Sequence, residues 1–527
     1  METEGKWTED KNKLEGISPT APPIMRHRVI LVLLGIVSFG LYFWMLVVSK
    51  EFNWGEGYIN RPIPTYLVLY FALFALYSVA IVLILKRLND RSSLWIILAF
   101  GLLFRAALFS SHPIQEDDFY RYLWDGKVFA HGINPYEYPP KLVSTYKFLK
   151  IRDPEEFQRL YDERNLRELD LLYGLKWETP VALSFLERIN HSDVPTIYPP
   201  LAEYVFRAVH WVRPDSILAM RVVFLLFDLT ALVFIILTLD ALGKHKNLCI
   251  IYFWSPLLIK ETFNSTHLDI IGISFLCVSL YFYVRARFTT AVLFLALSVL
   301  GKLYPVILLP VYLKEIMMCS QNSSWKEKLK PVIINSLLFA GVITVFYLRF
   351  LDIGMKVFAG LGAYAAHWEN NDSLFAILLY FFSSIPGLKT KVFLSSNLAI
   401  FLCKVTVAIV LLVAIFYLLA DKRWGSTDSA RLDGMSRIFI VMGLMFLLSP
   451  VQNPWYLVWL VPFLCFFPRK SWILLTGLMG LYYLSFYFDY QDIRQYKRWI
   501  PWFEYSFFYF LLMMELGWFG KLKEETR

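Results

Sequence analysis

The sequence predicts an all-α polytopic membrane protein, with about 14 transmembrane segments (12–14) and a long first extracytoplasmic loop carrying amphipathic helices. Three observations predict it. The 527-residue chain is 57% hydrophobic and only 18% charged, where a soluble domain has about a quarter of its residues charged. Apolar runs recur that approach the roughly 20 residues needed to cross a bilayer, and spanning backbone must satisfy its own hydrogen bonds, which selects helices. Lysine and arginine cluster in short links, as they do on the cytoplasmic side of membranes.

Taken in order, the spans read as 28–49, 65–86, 92–110, 216–240, 247–260, 267–284, 289–303, 303–316, 331–351, 394–420, 435–450, 454–468, 471–489 and 503–520. The first 25 or so residues are polar and lack the apolar core of a signal peptide, so the first span is expected to serve as an uncleaved signal. Basic clusters fall at Arg26/Arg28, Lys86/Arg87/Arg91, Lys244/Lys246, Arg285/Arg287, Lys326/Lys328/Lys330, Lys422/Arg423, Arg469/Lys470 and Lys521/Lys523. With both termini cytoplasmic, about 14 crossings place all of these inside. This accounts for the net charge of +9 without a nucleic-acid partner. The domain division is a cytoplasmic tail over 1–27, one transmembrane domain over 28–520, and a short tail over 521–527. Outer loops are expected at 111–215 and 351–393, the first carrying one or two amphipathic helices around IRDPEEFQRLYDERNLRELDLLYGL. The topology requires a helix break near GKLYP, residues 301–305, and broken helices at membrane depth occur where they line a cavity. The five cysteines show no paired spacing, so neither a disulfide framework nor a zinc site is expected.

The unusual polar residues then gather on one membrane face. EDDFYRYLWD places Asp118, Arg121 and Asp125 on one side of a helix. That stripe is either an ion-paired cap on the third span or a carboxylate base for a hydroxyl proton, with Asp117 as a rival to Asp118. HGINPYEYPP follows with turn chemistry, presenting Asn134 and Tyr136. TIYPPLAE presents Tyr198, although paired prolines also simply start helices. KETFNSTHLD packs Glu261, Asn264, His267 and Asp269 between apolar runs, where ionisable groups are functional candidates. One histidine among scattered carboxylates lacks the ligand count of a metal site. Lys302 and Tyr304 sit at the expected break. HWENNDSLF offers His367, Trp368 and Asn371, and SPVQNPWYLVWLVPF offers Gln452, Asn453, Trp455 and Tyr456. Amides beside aromatic rings suit sugar binding, but they also suit helix caps and interfacial anchors.

In this order, DDFYRYLWDG, GINPY, YPP, NSTHLD, GKLYP, WENNDSLF and QNPWYLVWLVPF resemble membrane glycosyltransferases of the GT-C fold, over about residues 95–470. The resemblance is nearest to prokaryotic polyprenyl-phosphate-mannose-dependent mannosyltransferases. It implies a GT-C-like helical bundle in the plasma membrane. It further implies a hexose, here mannose, carried on a polyprenyl phosphate, and an acceptor hydroxyl on a lipid, glycan or protein. Transfer would be an inverting single displacement on the extracytoplasmic face, with Asp118 or Asp117 as base. Arg121, His267 and Lys302 would hold the donor phosphate, and no cofactor or metal is implied. The chain departs from the pattern in having two spans before the one that leads into the aspartates, and QNPWY where many relatives carry a histidine before PWY. Two other classes were weighed. A transporter or flippase should show inverted repeats, and none is visible; a lipid-linked glycan polymerase or ligase fits the motifs less well.

Overall fold

The computed structural model describes residues 23–53, 57–319, 324–388, 398–420 and 428–525. The N-terminal tail to residue 22, residues 389–393 of the expected second outer loop and the Lys422/Arg423 cluster lie outside the described residues, as does the side chain of His367.

Every element of substance is helical. Three long apolar helices open the chain: α1 (Pro23–Ser49), α2 (Ile63–Arg87) and α3 (Arg91–Leu108). The last is started by Asp90, whose carboxylate accepts from the Ser93 amide at 3.0 Å. The segment 111–215, expected as the first outer loop, is richer than the one or two amphipathic helices expected. It holds α4 (Asp118–Ala130), α5 (Pro140–Arg152), α6 (Pro154–Leu160), α7 (Glu163–Leu175), α8 (Ala182–Glu187) and α9 (Pro200–Val212). Proline at the first turn starts α5, α6 and α9, and a reciprocal Asp162–Asn165 cap starts α7. These helices bury their own apolar core, built on Trp124, Val143, Tyr146, Leu169 and Leu172.

After α10 (Ile217–Ala241) the chain departs from the expected continuous span over 247–260. It threads the centre of the molecule as short pieces: α11 (Ile250–Phe253), α12 (Pro256–Ile259) and a π-helical turn over Lys260–Asn264. Non-helical backbone at this depth is tolerated because protein surrounds it, and all of these residues are buried. The pair α13 (Asp269–Val284) and α14 (Phe288–Gly301) follows, and α14 ends where the break was expected. A 3-10 turn over Tyr304–Leu308 leads into α15 (Leu309–Met318).

The remainder comprises α16 (Trp325–Tyr347), α17 (Ala359–His367), α18 (Leu374–Ser384), α19 (Leu398–Ala420) and α20 (Asp428–Leu448). Then come α21 (Pro454–Leu457) and α22 (Val461–Phe466), two pieces of one interrupted segment, followed by α23 (Lys470–Leu478), α24 (Leu484–Tyr490) and α25 (Ile500–Glu525). Helix α18 falls inside what was read as the second outer loop.

Seven described helices are long and apolar enough to cross a membrane, and shorter apolar helices occur at Asp269–Val284, Phe288–Gly301, Leu374–Ser384 and Pro454–Phe466. The chain is therefore a multi-pass, all-helical membrane protein. Burial sorts its helices. Only 17% of the most apolar stretch of Leu398–Ala420 is covered by protein, so this helix turns its side chains to lipid. The 250–284 region is the packed centre.

Candidate functional site

A cavity of about 890 Å³ opens where the motif-bearing loops meet. Each wall has a local cause. The link from α3 to α4 is fastened by two buried side chains. Asn264 accepts from the Ile114 amide at 3.0 Å and donates to Ser111 Oγ at 2.9 Å and the His112 carbonyl at 2.7 Å. Arg221 donates to the Phe109 and Ser111 carbonyls at 2.7 and 2.8 Å. So anchored, the link delivers Glu116, Asp117 and Asp118 to the cavity, with Asp118 as the first residue of α4.

The opposite wall comes from α13 and α14. Gly272 and Gly301 let the two backbones touch: a Cβ on Gly301 would lie 2.8 Å from the Gly272 nitrogen, and one on Gly272 would lie 2.4 Å from the Trp459 ring. The chain then turns extended at Lys302. Its ammonium donates to both Asp269 oxygens at 2.6 Å and sits 4.4 Å from the Tyr456 ring centroid. Trp459 Nε1 donates to the same carboxylate at 2.6 Å, so Asp269 holds Lys302 from behind.

The turns around Asn370 and Val451 form the third wall by pairing in parallel. The Asn370 amide donates to the Pro450 carbonyl and the Gln452 amide to the Asn370 carbonyl, both at 3.0 Å. Gln452 itself is spent on the Leu447 and Ser449 carbonyls and on Ser373. Asn371, at φ 52°, donates to the Gln452 carbonyl and to Glu504 at 3.3 and 2.9 Å. What this turn pair presents to the cavity is Trp368, Asn453, Trp455 and Tyr456, with Tyr364 bonded to Tyr456 at 2.8 Å.

A fourth side is the 190–199 segment. Arg121 latches it by donating to the His191 and Val194 carbonyls at 3.1 and 2.9 Å. Asn190 donates to Asp117 at 2.9 Å, and the His191 ring lies 4.3 Å from that of Trp368.

Of the residues singled out from sequence, Asp117, Asp118, Arg121, Tyr198, Lys302, Tyr304, Trp368, Asn453, Trp455 and Tyr456 line this cavity. The others stand outside it. Asn134 is bonded to the Phe350 carbonyl and to Asp352, and the Tyr136 hydroxyl to the Tyr198 carbonyl, so GINPY staples the α4–α9 region to the 348–358 segment. Asp125 lies buried below Arg121, 4.0 Å away. Asn264, Asn371 and Gln452 brace the walls, Asp269 braces Lys302, and Glu261 and His267 are buried behind Trp455 and Asp118. The sequence reading passed over Glu116, Asn190, His191, Tyr364 and Asn370, all of which line the cavity. Glu116 was visible as the first carboxylate of EDD, whereas Asn190 and His191 sit in a loop without periodicity.

Burial lifts the carboxylates above their ordinary range. Asp118 is pushed up to about 6 by burial, against the lowering pull of Lys302 and Arg121. The 30% of its side-chain surface left open faces this cavity. Asp117 is pushed up to about 7 by burial and by Asp118, with Asn190 opposing. Burial also raises Glu116 well above the usual carboxylate range, with Lys260 opposing and Glu261 adding to the rise. Two cations therefore face one partly ionised carboxylate across a cavity floored with aromatic rings. Among the described residues, no group of three or more His, Cys, Asp or Glu side chains is arranged to hold a metal ion.

Residues 188–318, about a quarter of the chain, match the family model of alpha-(1->6)-mannopyranosyltransferase, N-terminal domain, of the MptA_B family. The matched stretch contains Tyr198, His267, Asp269 and Lys302 but not Asp117 or Asp118. No curated protein and no solved structure matches the chain.

Proposed function

We propose that this multi-pass membrane protein, whose residues 188–318 match a mannosyltransferase family model, is a GT-C-type glycosyltransferase that moves mannose from a polyprenyl-phosphate donor to an acceptor hydroxyl, in the cavity between Asp118 and Lys302. The observation that carries this reading is the opposition of an uptilted carboxylate to Lys302 and Arg121 across a single aromatic-lined space.

Asp118 takes the proton of the acceptor hydroxyl as that oxygen attacks the anomeric carbon. The bond to the phosphate oxygen breaks, its electron pair leaves with the polyprenyl phosphate, and the anomeric centre inverts. Positive charge from Lys302 and Arg121 stabilises the departing phosphate. Asp118 is the better base of the two aspartates: the cations keep it ionised near neutral pH, whereas Asp117 is higher and tied to Asn190. Tyr198, Tyr304, Trp368, Trp455 and Tyr456 offer stacking faces for sugar rings, and Asn453 offers an amide. Braced as they are, Asp125, Asn134, Tyr136, Asn264, Asn371 and Gln452 act in this reading through the walls they hold.

The reading keeps both termini cytoplasmic, one transmembrane domain over 28–520, and the cavity extracytoplasmic, as the basic clusters suggest. The acceptor is a lipid-, glycan- or protein-linked hydroxyl.

Purified protein offered a panel of polyprenyl-phosphate sugars should release polyprenyl phosphate from the mannosyl donor. Asp118→Asn should lower transfer by about 1000-fold or more while leaving the fold intact. Full transfer by both Asp118→Asn and Asp117→Asn would remove the assignment.

A further inference from the structure

His267 was expected at the donor phosphate, but its surroundings point elsewhere. The ring is buried, stacked 4.1 Å from the ring of Trp455 at 17°. Neither ring nitrogen has a hydrogen-bond partner among the described residues. Yet Nδ1 lies 3.8 Å from Asp118 Oδ2, and Nε2 lies 3.4 Å from Glu261 Oε2 and 3.8 Å from Glu116 Oε2. Glu261 Oε2 and Glu116 Oε1 are also without partners. Unsatisfied buried polar atoms are rare in folded proteins; here both imidazole nitrogens and the Glu261 oxygen that faces one of them are unsatisfied.

The backbone is distorted to put it there. His267 follows a π-helical turn, Lys260–Asn264, and a Thr266 at φ 62°. Single π turns concentrate at functional sites, and a β-branched residue at positive φ is strained. Arg221, donating to Thr266 Oγ1 at 3.0 Å, holds the strain in place.

We infer that His267 is a positioning residue for Asp118: its neutral imidazole donates Nδ1–H to Asp118 Oδ2 and accepts at Nε2 from the protonated carboxyl of Glu261 or Glu116. This rests on the reading of Asp118 as the base. The charged and titratable groups around the ring are Glu116, Asp118, Lys260, Glu261 and Lys302, and Tyr483 donates to the far oxygen of Glu261. The buried ring sits among the ammonium groups of Lys260 and Lys302, which disfavour a further positive charge on it. The elevated Glu116 supplies a proton donor. Closing about 1 Å brings each contact to hydrogen-bond length, a tightening that catalytic contacts commonly make only when substrate is bound. The device orients Asp118 so that its other oxygen faces the acceptor, and it stabilises the anion.

Ring-15N-histidine NMR on the full chain, with His267→Asn identifying the signal, tests this without turnover. His267 should stay a neutral Nδ1–H tautomer from pH 5 to 8, and Asp118→Asn should move its Nδ1 signal while the other histidines stay still. Protonation of His267 within that range, or indifference to Asp118→Asn, overturns the inference. In transfer assays His267→Phe, which keeps the stack on Trp455, should lower kcat by about 10- to 100-fold with little change in donor KM. Loss of the N–H donor should also move the acid limb of the pH profile upward, and His267→Asn should restore part of both. An unchanged kcat and limb in His267→Phe again overturns it. If the wild type transfers from no donor, the proposed reaction falls, and the NMR outcomes still decide the positioning role.

Discussion

Two of the buried ionic clusters in this membrane protein differ in whether their valences are filled. Deep in the bundle, Arg105 donates to Asp228 through Nε and Nη2 at 2.6 and 3.2 Å, and through Nη1 to the Gly101 and Phe253 carbonyls. Tyr252 adds a bond to Asp228 at 2.8 Å. Nothing is left for a ligand. Beside the cavity, Glu116, Asp118 and Glu261 each face His267 at 3.4–3.8 Å, with unpartnered atoms on Glu116, Glu261 and His267. The first cluster joins α3, α10 and α11 and reads as scaffold. The second is held open by its surroundings and reads as chemistry.

The sharpest way to break this comparison is to open the closed cluster. Arg105→Met leaves Asp228 buried without its partner and should cost about 3–5 kcal/mol, seen as a lower midpoint of thermal unfolding in detergent. Adding Asp228→Leu should recover most of that loss, because an apolar pair replaces an ionic one at little cost. If the single variant unfolds like the wild type, the cluster is not the scaffold described.

Next in size is the contact that aims Lys302. Gly272→Ala places a methyl 2.4 Å from Trp459 and should cost about 1–3 kcal/mol by overpacking. Since Trp459 also holds Asp269, transfer activity should fall further than stability predicts. Equal losses would mean that this wall does not position the lysine.

The same distinction explains what the sequence made legible. EDD, NSTHLD, GKLYP, WENND and QNPWY were readable because polar residues in apolar runs are costly and demand a reason. The reason itself was not readable. For Asp118 and Lys302 it is the cavity; for Asn264, Asn371 and Gln452 it is a backbone to be tied down. Hydropathy reports the cost of burying an amide and not which atom satisfies it. The interrupted 246–264 segment was hidden for a related reason, since an apolar run surrounded by protein has the same composition as one that crosses lipid. The break after Gly301 was legible because the basic clusters required the chain to turn back there.

The remaining prediction contrasts two cations by the pH at which activity is lost. The base must be ionised, and its folded-state value lies near 6, so kcat/KM should be flat above that pH and fall as pH drops through it. Lys302 lowers this value and Asp269 raises it. Lys302→Met should therefore shift the acid limb toward higher pH, by about 1 unit, and Asp269→Asn should shift it toward lower pH. Arg159 supplies the control. Its pair with Glu156 at 2.8 Å is largely exposed, so Arg159→Ala should change neither the limb nor, beyond about 0.5 kcal/mol, the stability. Opposite shifts for Lys302 and Asp269, with none for Arg159, would tie the electrostatics to the cavity itself. Shifts of the same sign would mean that both variants act by loosening the wall, and the open cluster would then be no more than unfinished scaffold.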